Sequence, residues 1–370
     1  MSPTGSITRL LTDKTDLGRA VVDQVERHRP LADGEAALAI ETFAMTANNI
    51  TYAAYGDAMR YWEFFPTGHE GFGLMPVWGF AQVSDSRVAG LDAGTRLYGY
   101  FPIADELIVQ PVAVSERGFY DASAHRAELP TPYNQYSRAD EALGYSAELA
   151  DYQMLMRPLF FTAWMLADFL IDNECFGARQ IVLSSASSKT AYGCAYALQG
   201  LDNVSLVALT SDSNRAYVEG LSLYSQVLGY DDVAAIDNSV PTVYLDFSGR
   251  GELAIALHQQ LGDALVHHAS VGSAATTDTR SVANTLKPKP TLFFAPDQIR
   301  KRTQDWGSDA LYARYGAAEA GFFKRLSNPD NPWMTVEVHH GFEAAAQVIR
   351  DVHDNGGSAV SGHVVRLTAD

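Results

Sequence analysis

Ile181-Val182-Leu183-Ser184-Ser185-Ala186-Ser187-Ser188-Lys189-Thr190-Ala191-Tyr192-Gly193 is the stretch whose reading decides the fold. A short β-branched run, Gln180 to Leu183, ends at a loop of small residues, and Ala191 to Leu198 then reads as helix. Strand, tight loop and helix start are what a pyrophosphate needs, because its charge must meet bare backbone N–H groups at a helix's positive end. In the spacing G-x-G-x-x-G, Ala186, Ser188 and Ala191 take the three glycine positions. No glycine is there, yet every replacement is small. The loss removes easy access to positive φ, and serine hydroxyls with the Lys189 cation offset it. Two readings stand at this point: a phosphate cradle of Ser185, Ser187, Ser188, Lys189 and Thr190, or a plain serine-capped helix. Ser187-Ser188-Lys189-Thr190 also looks like the end of a P-loop, but the upstream glycine and the glycine before lysine are missing, which excludes an NTPase of that type.

Outward from this turn, helices and strands alternate. Tyr152 to Asp172 is a long apolar helix candidate; Ser205 to Thr210 reads as a second strand and Ala216 to Leu228 as mostly helical. Thr242 to Asp246, Ala264 to Ser270 and Pro290 to Ala295 supply further strands. Such alternation predicts an α/β, doubly wound parallel sheet whose ligand lies beyond the C-terminal ends of the strands. Thr210 ends the second strand, where NAD-preferring proteins carry an acid for the ribose hydroxyls. A neutral Thr210 followed by Ser211, Ser213, Asn214 and Arg215 suits a 2′-phosphate, which makes NADPH the favoured cofactor. Arg215 reads equally well as an exposed helix residue.

Up to about Tyr145 the text is different. Ala37 to Phe43, Val77 to Val83, Arg96 to Tyr100 and Glu106 to Val112 are short β-rich runs broken by Gly, Pro and Asp, as in a strongly bent β domain. The last segment offers a strand at Met334 to Val338, a helix at Phe342 to His353 and a strand at His363 to Leu367, which can pack back on the first domain. The expected division is 1–148 completed by 327–370, around a nucleotide-binding domain at 149–326.

Bulk properties agree with two domains: 370 residues exceed one comfortable core on the prior of about 100 to 200 residues per domain. A hydrophobic fraction of 47% fits a packed enzyme, and a net charge of -17 argues against nucleic acid or an anionic membrane as partner. The apolar run Leu159 to Ile171 is broken by Asp168 and falls short of the roughly 20 residues that span a bilayer, so it reads as a buried helix. Met1-Ser2-Pro3-Thr4 opens without a basic segment leading into an apolar one, so no secretory signal is expected. Cys175 and Cys194 are too few for a disulfide framework and fit a reducing cytoplasm.

Read in order, nearly the whole chain resembles the medium-chain dehydrogenase/reductase superfamily, and within it a subgroup with a serine-rich turn. Thr46-Ala47-Asn48-Asn49-Ile50-Thr51-Tyr52-Ala53-Ala54-Tyr55-Gly56 looks like the family's early substrate-site segment, Pro76 to Val83 like its next strand, and Ala93-Gly94-Thr95-Arg96-Leu97-Tyr98-Gly99-Tyr100 like its usual turn and strand. Tyr244 to Gly249 and Val271-Gly272 are similar to the strands and loops beside the nicotinamide, and Ser361 to Val365 to the closing strand. The resemblance implies a Rossmann-type sheet, a discontinuous GroES-like β domain, hydride transfer, and homodimers formed through a sheet edge at Thr291 to Phe294.

Gly68-His69-Glu70-Gly71-Phe72-Gly73 looks like the zinc-ligand segment of alcohol dehydrogenases, but placing Pro76 to Val83 on the family's strand puts Phe80 at the histidine position and His69 in the preceding loop. The expectation is therefore no metal. His267-His268 and His339-His340 lie on strand runs, where alternate faces disfavour a joint site. No G-x-S-x-G elbow is present. Without zinc, a hydrogen-bond donor must meet the developing negative charge. Tyr52, Tyr55, Asn49, Tyr133 and Tyr136 lie in segments the resemblance places at the substrate site; Tyr52 is the expected donor, Asn49 orients and Tyr133 supports. Tyr61-Trp62-Glu63-Phe64-Phe65, Trp78 and Phe101 are either β-domain core or an apolar substrate wall. The expectation is a zinc-independent, NADPH-dependent reductase of a carbonyl or activated C=C bond in a small, apolar molecule. Its rivals are a cofactor-independent lyase or hydrolase doing enolate chemistry, and a non-catalytic nucleotide-sensing protein.

Overall fold

The structure, a computed structural model, describes residues 5–26, 29–271 and 282–367. Two compact units divide it: Met1–Leu155 with Met334–Asp370 (unit 1), and Met156–Trp333 (unit 2). Unit 1 opens with β1 (Ser6–Asp13), β2 (Ala20–Glu26), β3 (Ala36–Met45), α1 (Ala47–Ala54), β4 (Phe72–Leu74), β5 (Pro76–Ser86), β6 (Arg96–Pro102), β7 (Glu106–Val109), β8 (Pro111–Ser115), β9 (Gly118–Asp121) and β10 (Gln135–Arg138). Helix α2 (Ala150–Asp172) follows, then β11 (Gln180–Leu183), α3 (Lys189–Ala197), β12 (Ser205–Thr210), α4 (Asp212–Gly220), β13 (Gln226–Gly229), β14 (Thr242–Asp246), α5 (Gly251–Leu261), β15 (Leu265–Val271), β16 (Thr291–Phe293), α6 (Ala295–Trp306) and α7 (Ser308–Leu326). The chain ends in β17 (Thr335–His340), α8 (Gly341–Asn355) and β18 (Ser361–Arg366).

In unit 1, β17-β18-β3-β5-β6-β10-β9-β8 lie side by side, β7 pairs with β3, and β2-β1-β4 form a smaller sheet. The β3–β5 register shifts between Ala37 and Leu38 and again between Ile40 and Thr42; each such bulge bends the strand and increases its twist. Gly79 permits the second: a Cβ there would stand 2.3 Å from the Thr42 carbonyl oxygen. One apolar core gathers Leu38, Ile40, Phe43, Val77 and Phe101 with Val348 and Ile349 of α8 and Val365 of β18. The C-terminal segment thus supplies part of the first core, and the β unit is discontinuous, as expected.

Unit 2 carries the sheet β13-β12-β11-β14-β15-β16, every pair parallel. Every residue of β11 and of β14 is buried, the property of parallel strands covered on both faces. Helix α2 is long and apolar enough to cross a membrane by length and composition, yet Met156, Phe160, Ala163, Met165, Leu166 and Leu170 are buried within the protein. Its Asp168 accepts from Arg302 at 2.6 Å and Gln298 at 2.5 Å, and its Arg157 pairs with Glu319.

Several local expectations are corrected. The unit boundary falls after Leu155, not at 148, because α2 runs through it and Leu155 packs where Gly362 leaves no room for a Cβ. Ala216 to Leu228 is not one helix: α4 ends at Gly220, Ser222 turns at φ 56°, and Gln226–Gly229 joins the sheet edge as β13. Glu106 to Val112 breaks at Gln110 into β7 and β8, which pair with β3 and β9. Pro290 to Ala295 contributes only Thr291–Phe293 as strand, since Ala295 already starts α6 with proline in its first turn.

His267 and His268 point to opposite faces of β15. His267 stacks on Phe176 at 3.9 Å; His268, fully buried, meets the Tyr244 ring at 4.5 Å, and its Nδ1 lies 2.9 Å from His258 Nε2. Burial, reinforced by the two neighbouring imidazoles, depresses His268 from 6.5 to about 3. Protons then bind the unfolded chain preferentially, so this stabilisation is present above pH 6.5 and lost as the pH falls. Urea unfolding at pH 7 and pH 5 should reveal about 2 kcal/mol lost through this group, a loss that His268→Gln should abolish.

Candidate functional site

The sheet of unit 2 reverses its winding between β11 and β14: the chain steps from β11 outward to β12 and β13, then returns to β14 on the other side. Ligands of such sheets bind beyond the carboxyl ends at that reversal. Here Ser184, just after β11, donates its hydroxyl to Asp246 Oδ1 at the end of β14 (2.9 Å). Asp246 Oδ1 also accepts from the amides of Ser248 and Gly249 and from the Ser248 hydroxyl at 2.8 to 3.0 Å, while Ser184 Oγ accepts from the Phe247 amide at 3.0 Å. Both side chains are fully buried.

From this junction the serine turn climbs into α3. Ser185 takes φ 50°, the left-handed conformation a glycine would give without strain. Ala186 is buried against Ala208 and Val218, and its amide donates to Leu209 O at 3.0 Å, so the small residue serves close approach to β12. Ser188 caps α3 by accepting from the Ala191 amide at 3.4 Å. Ser187 Oγ accepts from Asn214 Nδ2 at 3.1 Å, tying the turn to α4. Lys189 and Thr190 open the helix, half-buried, and burial lowers the Lys189 ammonium to about 8. The residues fit an anion: a helix N-terminus with a cation in its first turn.

Beyond β12, Thr210 is buried and its hydroxyl has no partner among the described residues; Ser211 and Ser213 bond each other at 2.9 Å. Arg215 donates to Asp232 at 2.8 Å, and Asp212 and Asp232 both border Gly229 beside it. Arg215 is therefore already neutralised, and a 2′-phosphate there must compete with a carboxylate. Val271 closes β15, buried; Gly272 lies outside the described residues.

In unit 1, α1 begins at a capping box. Asn49 Oδ1 accepts from the Thr46 amide at 2.8 Å and its Nδ2 donates to Pro76 O at 2.9 Å, so its amide fixes the start of α1 against β5. One turn on, Tyr52 enters a cluster with Tyr61, Tyr100 and Tyr133, its ring 4.8 Å from Tyr61. Trp78 Nε1 donates to the Tyr52 hydroxyl at 3.3 Å, and the Tyr61 and Tyr133 hydroxyls lie 3.2 Å apart. Burial, with Tyr61 adding to it, pushes Tyr52 up to about 12, and burial holds Tyr133 well above the usual phenol range. At neutral pH both are proton-bearing donors. Phe64 and Phe101 are fully buried, so these two belong to the core; Trp78 is half-buried.

Sequence reasoning missed Arg126. It is 1% exposed and donates to Asp121 at 2.9 Å, Asn134 at 2.8 Å, the Tyr136 hydroxyl at 2.9 Å and Tyr133 O at 2.6 Å. A buried guanidinium thus holds the segment presenting Tyr133, while Tyr136 is spent on it. His69 sits in the loop, 3.7 Å from Asp23, and Phe80 is buried on β5.

A bent β unit completed from the C-terminus and a six-stranded parallel sheet make up a fold that solved reductase structures share. CurA from Vibrio vulnificus, solved in complex with NADPH, matches with a TM-score of 0.63 at 12% identity over 98% of this chain and 100% of its own. A putative NADPH:quinone reductase from Bacillus thuringiensis matches with 0.57 at 15% identity over 99% and 100%, and a quinone oxidoreductase from Coxiella burnetii with 0.55 at 12% over 98% and 100%. At such identities the likeness is one of fold. No curated protein matches the sequence. The chain belongs to the family described as protein of unknown function DUF2855, whose model matches residues 43–358. The Ser184–Asp246 junction gives a direct test: Asp246→Ala removes the acceptor of four donors, of which the Ser184 hydroxyl and the Gly249 amide are buried, and should cost about 3 kcal/mol in urea unfolding, whereas Ser213→Ala, at an exposed position, should leave stability nearly unchanged.

Proposed function

We propose that the chain is an NADPH-dependent reductase acting on a carbonyl or an activated C=C bond of a small, apolar molecule, without zinc. The observation that carries this reading is the strand, serine turn and helix at the winding reversal of the sheet, in a fold that CurA shares and in which that protein holds NADPH. Ser185, Ser187, Ser188, Thr190 and the Lys189 ammonium receive the pyrophosphate at the start of α3. Thr210, Ser211, Asn214 and Arg215 receive the adenosine ribose and its 2′-phosphate, and Val271 flanks the nicotinamide. Bound NADPH supplies a hydride.

The protein's own part is to place a proton and keep charge in check. Tyr52, protonated because burial pushes it up to about 12, donates toward the oxygen on which negative charge develops. Tyr133 supports that donor, and Asn49 orients α1, which carries it. Independence from zinc is supported by Phe80, which offers no ligand atom where the family's histidine stands. The free, buried Cys175 and Cys194 support a reducing, cytoplasmic setting.

Calorimetric titration tests the reading. Micromolar NADPH binding is expected, with Arg215→Ala and Lys189→Ala each weakening it roughly tenfold; absence of binding by NADPH and NADH at millimolar levels would sink it. Asp232→Asn, which releases Arg215, should tighten NADPH relative to NADH. Since Lys189 loses its proton near pH 8, affinity should fall as the pH rises from 7 to 9 in the native protein and stay flat in Lys189→Ala.

A homodimer through β16 belongs to the same proposal. β16 ends the sheet, and Leu292 within it is 59% exposed and Phe294 just after it 43%, an apolar edge of the kind a second copy covers. Light scattering should give a dimer for the native protein and a monomer for Leu292→Lys; a native monomer contradicts the assignment.

A further inference from the structure

His339 and its chain neighbour His340 point to opposite faces of β17. The fold provides a different partner. β17 and β18 run parallel with Glu337 opposite His363 and His339 opposite Val365. Residues two apart on a strand share a face, as do direct partners across a pair, so Glu337, His339 and His363 project together. His339 Nε2 lies 3.1 Å from His363 Nδ1, and Glu337 Oε2 lies 3.5 Å from the same nitrogen. One ligand atom from each of the three falls within 4.8 Å of the others. A tetrahedral zinc ion, bonded at about 2.1 Å, holds neighbouring ligand atoms roughly 3.4 Å apart. Two of the three separations already match it.

We propose that Glu337, His339 and His363 form a binding site for a divalent transition metal of the zinc class, with two imidazoles and one carboxylate as ligands and the fourth position open to solvent. Nitrogen and carboxylate donors in this number select such ions over magnesium or calcium, which prefer all-oxygen shells. Glu337 is exposed and both histidines are half-buried, so an ion reaches the site from solvent. β17 ends the sheet, and the ion would bridge this edge strand to β18, adding a cross-strand tie where backbone bonding stops on one side. The site is separate from the proposed reductase chemistry: none of its ligands belongs to the serine turn or the tyrosine cluster.

The competing account is a histidine–histidine hydrogen bond with a carboxylate beside it. Titration of the whole protein with Zn2+ by calorimetry, and with Co2+ by visible absorption, separates the two. Expected are one equivalent bound in the micromolar range, tetrahedral Co2+ bands, and roughly tenfold or greater weakening in His339→Gln and in His363→Gln, with His340→Gln unchanged. Zn2+ should also raise the thermal midpoint of the native protein and not that of His363→Gln, with far-ultraviolet circular dichroism confirming that each variant is folded. No saturable binding up to millimolar Zn2+, or the same affinity in folded His339→Gln and His363→Gln as in the native protein, overturns the proposal.

Discussion

The Asp246 carboxylate, buried at the end of β14, joins the loop after its own strand to the loop after β11 through Ser184. These are the two strands between which the sheet's winding reverses, so this contact sets where the serine turn begins and how it enters α3. The turn has no glycine to absorb the change of direction. Ser185 adopts the left-handed conformation itself, at a cost of roughly 1 kcal/mol or more that the surrounding bonds must offset. They do so on three sides: Ser184 on Asp246, Ala186 on the end of β12, and Ser187 on Asn214 of α4. Small side chains are required less for flexibility than for space, because Ala186 and Ala191 are fully buried.

The β unit follows a parallel logic with a cation at its centre. Arg126 is enclosed by Asp121, Asn134, Tyr136 and the Tyr133 carbonyl. A buried charge is tolerated only when its donors find partners, and here Asp121 of β9 supplies the countercharge while Asn134, Tyr136 and the Tyr133 carbonyl come from the segment that carries Tyr133. The tyrosine cluster is therefore held from below by hydrogen bonds and from the sides by ring packing, and its hydroxyls are kept protonated by burial. A rigid, proton-bearing phenol in an apolar surround is a suitable donor where negative charge builds up, since it need not reorganise during reaction.

Much of this architecture was legible in the sequence. Strands β3, β5, β6, β11, β12 and β14 announce themselves by apolar runs bounded by small or polar breakers, and the discontinuity of the first unit follows from a terminal strand, helix and strand that have no sheet of their own. What escaped depends on distance in the chain. Leu221 and Leu223 continue a helical spacing that Ser222, in a left-handed turn, interrupts, and only pairing with β12 makes Gln226–Gly229 a strand. Arg126 carries no local signal of burial, because Asp121 and Asn134, which enclose it, sit five and eight residues away. Asn49 reads as a residue that orients the substrate site beside Tyr52, whereas capping and a bond to Pro76 O engage its amide. His339 and His363 stand 24 residues apart, and nothing short of the strand register puts them on one face.

Whether the glycine-free turn of unit 2 receives a dinucleotide is read by hydrogen–deuterium exchange, peptide by peptide, with and without saturating NADPH. Binding there slows exchange at the amides of Ser185 to Ala191 and of Thr210 to Arg215, with little change in β13. Unchanged exchange across both segments at saturating NADPH would contradict it.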